Sequence, residues 1–193
     1  MSPYPARTDR QQIIEAALEL IERKGVENLS LNGVAAKTGV KTPSLYNHIS
    51  GKKDLLRAVI ERTFRELFAA YQPALQAEGT SAEERLRRVF RLHRNYAHAH
   101  PNAYILAYTT CDPDLRADPV ELEGQALALQ GVMAEISGEE RSLPALRGAL
   151  ALAHGFVTLE LREQLQRGGD LGAAYEAALE AYLRGWSDLS HKN

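Results

Sequence analysis

LNGVAAKTGVKTPSLYNHI, residues 31–49, carries two short amphipathic segments separated by a single glycine. In the first, Leu31, Val34 and Ala35 recur at helical spacing, and Ser30 stands just ahead as an N-cap oxygen. Gly39 ends it, because glycine tolerates the positive φ of a sharp reversal. Val40 then packs the turn, and Ala35 is small enough for a second helix to cross closely. Thr42-Pro43 restarts the chain. Proline suits a first helical position and pushes its predecessor to extended dihedrals, which predicts a helix from Pro43 with Thr42 as its cap. At about 100° per residue, Leu45 and Ile49 share one face, Pro43, Ser44 and Asn47 the opposite face, and Tyr46 and His48 the flanks. The spacing predicts a helix-turn-helix.

The outward face of the second helix is polar and nearly uncharged, which suits base-edge contact in a major groove better than electrostatic adhesion alone. Lys52 and Lys53 open the next helix, and Lys37 and Lys41 bracket the reading helix on its other side, so phosphates are gripped from both ends. The formal net charge of -2 hides an uneven distribution, with a basic excess in residues 1–62 and an acidic excess beyond. That sense of asymmetry is expected when only the head meets double-stranded DNA.

From IIEAALELIERKGVENLSL through VAAKTGVKTPSLYNHISGKKDLL, the chain resembles the N-terminal domain of the tetracycline-repressor family of bacterial transcription regulators. Ala35, Gly39, Val40, Leu45, Tyr46, His48, Lys52 and Leu55 stand at the family's recurrent positions. Three positions depart from it. Ile49 replaces the usual phenylalanine and Lys41 the usual capping serine or asparagine. Gly33 replaces a polar helix former, weakening the short helix by about 1 kcal/mol relative to alanine. The resemblance implies base contacts from Thr42, Pro43, Ser44 and Asn47, with Asn47 facing an adenine, and backbone contacts from Ser30, Tyr46, His48 and Lys52. His48 has an alternative reading as a hinge into the following turn.

Length and composition are compatible with this reading. The chain has 193 residues, 45% of them hydrophobic, enough for one large core or two small ones. No uninterrupted apolar run approaches a membrane span and no signal pattern opens the sequence, so a soluble cytoplasmic protein is expected. Cys111 is the single cysteine, which rules out an intrachain disulfide. Period-two alternation is nearly absent and the fold class expected is all-α: a three-helix DNA-binding head over residues 1–51 and a helical ligand-binding and dimerisation body over 52–193. Thr8 with Gln11 predicts a capping box for the first helix. Long helices are expected over 52–77, 81–100, 143–167 and 171–189, with shorter ones over 101–110 and 119–137.

Ala149, Ala153, Val157 and Leu161 form one stripe on the penultimate helix. Ala174, Ala178, Ala181 and Gly185 form a small-residue stripe on the last, flanked by Tyr182 and Trp186. Such stripes either pack within one subunit or meet their symmetry mates in a four-helix interface. The family resemblance favours a homodimer, which would set two reading helices one helical turn apart on a palindrome. LAHGFVTLELR at 152–162 is similar to the subclass named for a Trp-His-Gly signature, with His154 and Gly155 present and Leu150 in the place of the tryptophan.

An effector pocket is expected in the body, as the resemblance implies. Its aromatic and polar residues are Phe64, Phe68, Tyr71, Phe90, His93, Tyr96, His100, Tyr104, Tyr108, Cys111, His154, Phe156 and Thr158, although aromatic residues at helical spacing also serve simply as core. No metal site is expected: His98 and His100 diverge on a helix, and His93 lies almost two turns from His100. No cofactor loop, zinc-ligand pair or nucleophile elbow suggests an enzyme, and no catalytic residue is assigned. The reading is a homodimeric, ligand-responsive repressor released from its operator by a small-molecule effector; the alternative is a constitutive or architectural DNA-binding protein.

Overall fold

The computed structural model describes residues 8–190. Among them the elements run α1 (Arg10–Lys24), α2 (Leu31–Thr38), α3 (Thr42–Leu45), α4 (Lys52–Leu75), α5 (Ala82–Ala99), α6 (Pro101–Thr109), a 3₁₀ turn (Pro113–Leu115), α7 (Pro119–Ser137), α8 (Glu139–Leu161) and α9 (Leu171–Ser190), with no strand. By their contacts they form two compact units. One comprises the described residues up to Arg65 with His100–Pro119; the other comprises Glu66–Ala99 and the described residues from Val120 onward.

The first unit is built on short, well-capped helices. Asp9 is the N-cap of α1 and its carboxylate accepts from the Gln12 N–H at 2.8 Å, while the Gln12 side chain accepts from the Asp9 N–H. The capping box therefore lies one residue beyond the expected Thr8 and Gln11, a shift in which a carboxyl acceptor replaces a hydroxyl at the start of the helix. Ser30 caps α2 through the Gly33 N–H at 3.1 Å. A β-carbon at Gly33 would stand 3.1 Å from that hydroxyl, so the residue that costs helix propensity also leaves the capping oxygen uncrowded. Gly39 adopts φ 73° and closes the helix, with the Val40 N–H donating back to Ala35 O at 3.0 Å. The core of this unit holds Ile13, Ala17, Ile21, Val34, Leu45, Ile49, Leu55, Val59 and Tyr104, all at most 3% exposed. Full burial of one such aliphatic side chain contributes about 1.5–3 kcal/mol.

The second unit packs α5 with α8 and α9, and α8 with α9. Phe90, Met133, Ala149, Ala153, Val157, Tyr175, Leu179 and Leu183 are at most 1% exposed. Tyr175 donates from its hydroxyl to Phe90 O at 2.9 Å, which satisfies the one polar atom this ring carries into the core. Gly148 lies beneath Tyr182, whose hydroxyl donates to Ala145 O at 2.9 Å; a β-carbon there would fall on that hydroxyl. α8 ends at Leu161 rather than near 167. Glu163 turns to φ 54° and the Gln164 N–H reaches back to Leu159 O at 2.9 Å, closing the helix, and Asp170 starts α9 by accepting from the Gly172 and Ala173 N–H groups. By length and mean hydropathy α8 could cross a bilayer. Ser142, Ala145, Leu146, Ala149, Ala153 and Val157 line one side of it and are buried inside the unit.

Candidate nucleic-acid interface

In the first unit α2 and α3 pack on each other across the Gly39 turn. α3 is a single turn that starts at Thr42, with Lys41 in the N-cap position and no side-chain cap. This corrects the expected role of Thr42: its hydroxyl donates to Asn32 Oδ1 at 2.8 Å, tying the start of α3 to α2. Leu45 and Ile49 point into the core at 0% and 3% exposure. Opposite them Pro43, Tyr46 and Asn47 are exposed, with Ser44 and His48 half-buried. Tyr46 keeps 57% of its surface in solvent, an open aromatic beside an open amide. Ser30, Lys41 and Lys52 are also exposed.

The turn after α3 is held by residues that sequence reasoning did not select. Arg10 donates from Nη1 to His48 O at 2.7 Å and from its two terminal nitrogens to the Asp54 carboxylate at 3.1 and 3.3 Å. Asp54 also accepts from the Ser50 N–H at 2.9 Å. One carboxylate thus joins α1, the turn after α3 and the first turn of α4. The Arg10 hydrogen bonds hold the Asp54 carboxyl below its ordinary pKa. Such a group contributes stability that is complete above its unfolded pKa and is lost as pH falls through the depressed folded value. We expect Asp54→Asn to lower stability by about 1–2 kcal/mol at neutral pH and to weaken DNA binding with it; parallel urea titrations at neutral and acid pH would show the difference shrinking on acidification. Equal stability of the two proteins at neutral pH would contradict this.

A second junction in the same unit joins α1 to α6. Glu22 accepts from the Asn102 and Ala103 N–H groups at 3.1 and 2.8 Å, and the Asn102 side chain donates to Glu22 O at 3.0 Å. The carboxylate satisfies orphan N–H groups at the start of a helix, where the dipole also favours it. Partners 38 to 81 residues apart leave no periodic trace in sequence, which is why neither junction was legible there.

The residues expected in the effector pocket fall in both units. Phe64, His100, Tyr104, Tyr108 and Cys111 belong to the first, and Phe68, Tyr71, Phe90, His93, Tyr96, His154, Phe156 and Thr158 to the second. In the first, Tyr108 packs against Phe64 and Tyr104 at ring distances of 5.1 and 4.6 Å. Cys111 is exposed on the following loop, which removes it from the aromatic set. In the second, the Tyr71 hydroxyl and His93 Nδ1 are hydrogen-bonded at 2.7 Å, with Phe68 edge-on to Tyr71 at 5.4 Å. Burial and then the nearby His154 push the His93 pKa down to about 4, so this ring is neutral at pH 7. Tyr96 donates to Glu66 at 3.2 Å, and His98 Nε2 lies 3.0 Å from Glu160, so His93 and His98 serve different partners. Phe156 packs on Tyr175 at 5.3 Å and opens onto a crevice of about 450 Å³ at the α8–α9 turn, walled also by Leu165, Leu171 and Ala174.

The stripe expected to meet a partner subunit requires correction. Ala149, Ala153 and Val157 are 0% exposed within the single chain, packed inside the second unit, and have no surface left to bury elsewhere. Leu161, Ala178, Tyr182 and Trp186 are half-buried, while Ala174, Ala181 and Gly185 are exposed. The open side of α8 instead carries Leu143, Arg147, Ala151 and Leu159.

Comparison with known proteins agrees with this architecture in both units. Residues 13–59 match the family described as bacterial regulatory proteins, tetR family, and residues 86–182 match the tetracyclin repressor-like C-terminal domain. The chain belongs to the tetR family. It is therefore a helix-turn-helix transcriptional regulator that binds DNA. Among relatives, the uncharacterized HTH-type transcriptional regulator Rv0681 of Mycobacterium tuberculosis is 33% identical over 164 residues, which span 81% of this chain and 72% of that one. A variant of TetR from Acinetobacter baumannii AYE, solved in complex with minocycline, shares the fold with a TM-score of 0.73 at 23% identity, covering 95% of this chain and 98% of that one. The regulator FadR of Bacillus subtilis, solved with stearoyl-CoA, does so with a TM-score of 0.72 at 22% identity, covering 91% and 98%. The tetR match spans all of α2 and α3 and the start of α4.

Proposed function

We propose that this tetR-family regulator is a cytoplasmic repressor that binds a palindromic operator as a homodimer and leaves it when a small molecule occupies the body. The functional division is placed at residue 51, between a DNA-binding head and a ligand-binding, dimerising body. The observation that carries the reading is the α3 surface. A buried Leu45 and Ile49 on one side hold an exposed Pro43, Tyr46 and Asn47 on the other, with Lys41 and Lys52 exposed at either end.

Thr42, Pro43, Ser44 and Asn47 are assigned to base edges, and Ser30, Lys41, Tyr46, His48 and Lys52 to the backbone. We expect Asn47→Ala to cost about 1–3 kcal/mol of operator affinity and to relax one base preference, whereas Lys52→Ala weakens binding to all duplexes alike. Titrations against the operator and its single-base variants distinguish the two. A uniform loss from Asn47→Ala would remove its base-reading role.

One turn of helix reads only a few base pairs, so specificity requires two heads. The open faces of α8 (Leu143, Arg147, Ala151, Leu159) and α9 (Ala174, Ala181, Gly185) are assigned to the twofold interface, where small residues let helix axes approach closely. For the effector, the Phe68, Tyr71, His93 and His154 group favours an apolar or partly aromatic compound with a few polar anchors. Two relatives of the same fold were solved with minocycline and with stearoyl-CoA, which supports an organic effector as a class. Because α6 is capped by Glu22 of α1, a displacement of α6 is passed to the head through the carboxylate. The effector lowers operator affinity only by its preference for the released conformation, typically about 1–3 kcal/mol.

The experiment is selection of bound duplexes from a random DNA pool, with footprinting of the selected sequence at physiological salt. A palindromic consensus protected over two half-sites supports the proposal. Retention of DNA without sequence enrichment would replace it with an architectural role.

A further inference from the structure

Lys53 is the second residue of α4, beside the Lys52 that faces the DNA backbone in the proposal above, and its ammonium is already occupied. Asp112 Oδ2 lies 3.0 Å from Lys53 Nζ and Asp114 Oδ2 lies 2.6 Å from it. Both acids come from the segment CDPDLRADP that follows α6 and belongs to the same compact unit as the reading head. The segment is organised to present them. Asp112 Oδ1 accepts from the Asp114 N–H at 3.0 Å and starts the 3₁₀ turn, which leaves Oδ2 of each carboxylate for the lysine. Lys53 and Asp114 stay open to solvent, at 56% and 72%, and Asp112 is half-buried at 37%.

An exposed pair of this kind adds little to folding stability. Its consequence is for binding, since two carboxylate oxygens at hydrogen-bond distance offer an ammonium what a phosphodiester offers. A lysine held by them releases no counterion from DNA, because it neutralises no phosphate. We propose that the Asp112–Asp114 pair is an internal competitor for Lys53, withholding one phosphate contact from the head while this segment is closed on α4. Opening the segment, or neutralising it, adds that contact. The inference rests on the reading that the start of α4 meets the DNA backbone.

The test uses the full chain and a random-sequence duplex, with affinity measured across a salt series. Each phosphate contact contributes about -0.9 to the slope of log K against log salt, so one added contact makes the affinity lost between 50 and 200 mM salt about 3.5-fold larger. Asp112→Asn/Asp114→Asn is expected to steepen the slope by this amount; asparagine at 112 keeps the acceptor for the Asp114 N–H. Lys53→Ala is expected to leave the slope unchanged in the otherwise native chain and to abolish the gain in the doubly substituted one. Asp114→Asn alone, at the more exposed acid, guards against a local folding defect and is expected to give a partial gain. A steeper slope that survives Lys53→Ala would assign the gain to general repulsion by the acids and overturn the competition. So would an equal loss on Lys53→Ala in both backgrounds, or no change on removing the acids. Absence of duplex binding at any salt would instead overturn the DNA-facing reading itself.

Discussion

Leu45→Ala is expected to abolish operator binding and to lower the stability of the chain by about 2–5 kcal/mol. Leu45 is 0% exposed and is the last residue of α3, a helix of four residues with no side-chain N-cap. So short a helix has almost no stability of its own, because nucleating a turn costs more than its few hydrogen bonds return. What positions Pro43 and Asn47 is the anchoring of Leu45 and Ile49 into the core of the first unit. Removal of the isobutyl group leaves a cavity beneath the reading face and detaches the face together with its anchor. Thermal melts are expected to shift by roughly 2–4 °C per kcal/mol for a chain of this size, with the affinity for every duplex falling in step. Asn47→Ala, by contrast, is expected to lose affinity without moving the melt. A Leu45→Ala protein with native stability and no binding would mean that the residue contacts DNA and not the core.

α3 and the glycine turn before it were legible because their physics is local. Ser30, Gly39 and Pro43 each act on neighbours within a few residues, and Leu45 and Ile49 show their burial through spacing alone. Even there, the boundary moved by one residue. Thr42 lies inside the helix, and its hydroxyl is tied to Asn32 ten residues away instead of capping α3. The same limit explains the larger misses. Arg10 and Asp54, or Glu22 and Asn102, carry no periodic mark, and their roles exist only once α1, α4 and α6 are packed. Lys53 looked like a phosphate grip by position, and only the packed segment after α6 reveals its two carboxylate partners.

On the last two helices, sequence pattern identified small apolar stripes but not which way they face. Ala149, Ala153 and Val157 were compatible with either an inner or an outer side, since alanine and valine suit close helix packing in both. The tertiary structure turns them inward, where Tyr175, Leu179 and Leu183 of α9 are also buried. The residues left for a partner are therefore a different set on the same helix. The aromatic group of the body met a similar ambiguity: its members are distributed over two compact units, a division no spacing rule could anticipate.

His93 should make the folded chain markedly less stable in acid. The ring is 2% exposed, hydrogen-bonded through Nδ1 to the buried Tyr71 hydroxyl, and close enough to His154 that a second positive charge would be repelled. Burial is the larger cause, and together they lower its pKa from 6.5 to about 4. In the unfolded chain the same imidazole takes up a proton near pH 6.5. Between these values the unfolded state binds more protons than the folded one, so stability rises with pH across the window and falls as pH is lowered through it. At 1.36 kcal/mol per pH unit, the full span from pH 6.5 to 4 is worth about 3 kcal/mol. His93→Gln keeps a hydrogen-bonding partner for Tyr71 but cannot titrate. Its stability relative to the native chain is therefore expected to improve steadily from pH 6.5 down to pH 4, by about that amount, whatever its offset at pH 7. Urea titrations of both proteins at half-unit pH steps give the comparison directly, since carboxylates that titrate in the same range contribute equally to each. Parallel pH profiles would show that His93 is protonated inside the fold, which would require an acceptor for its charge among α4, α5 and α8. A steady relative gain by the variant would establish a neutral, pH-sensitive polar contact at the centre of the aromatic group assigned to the effector.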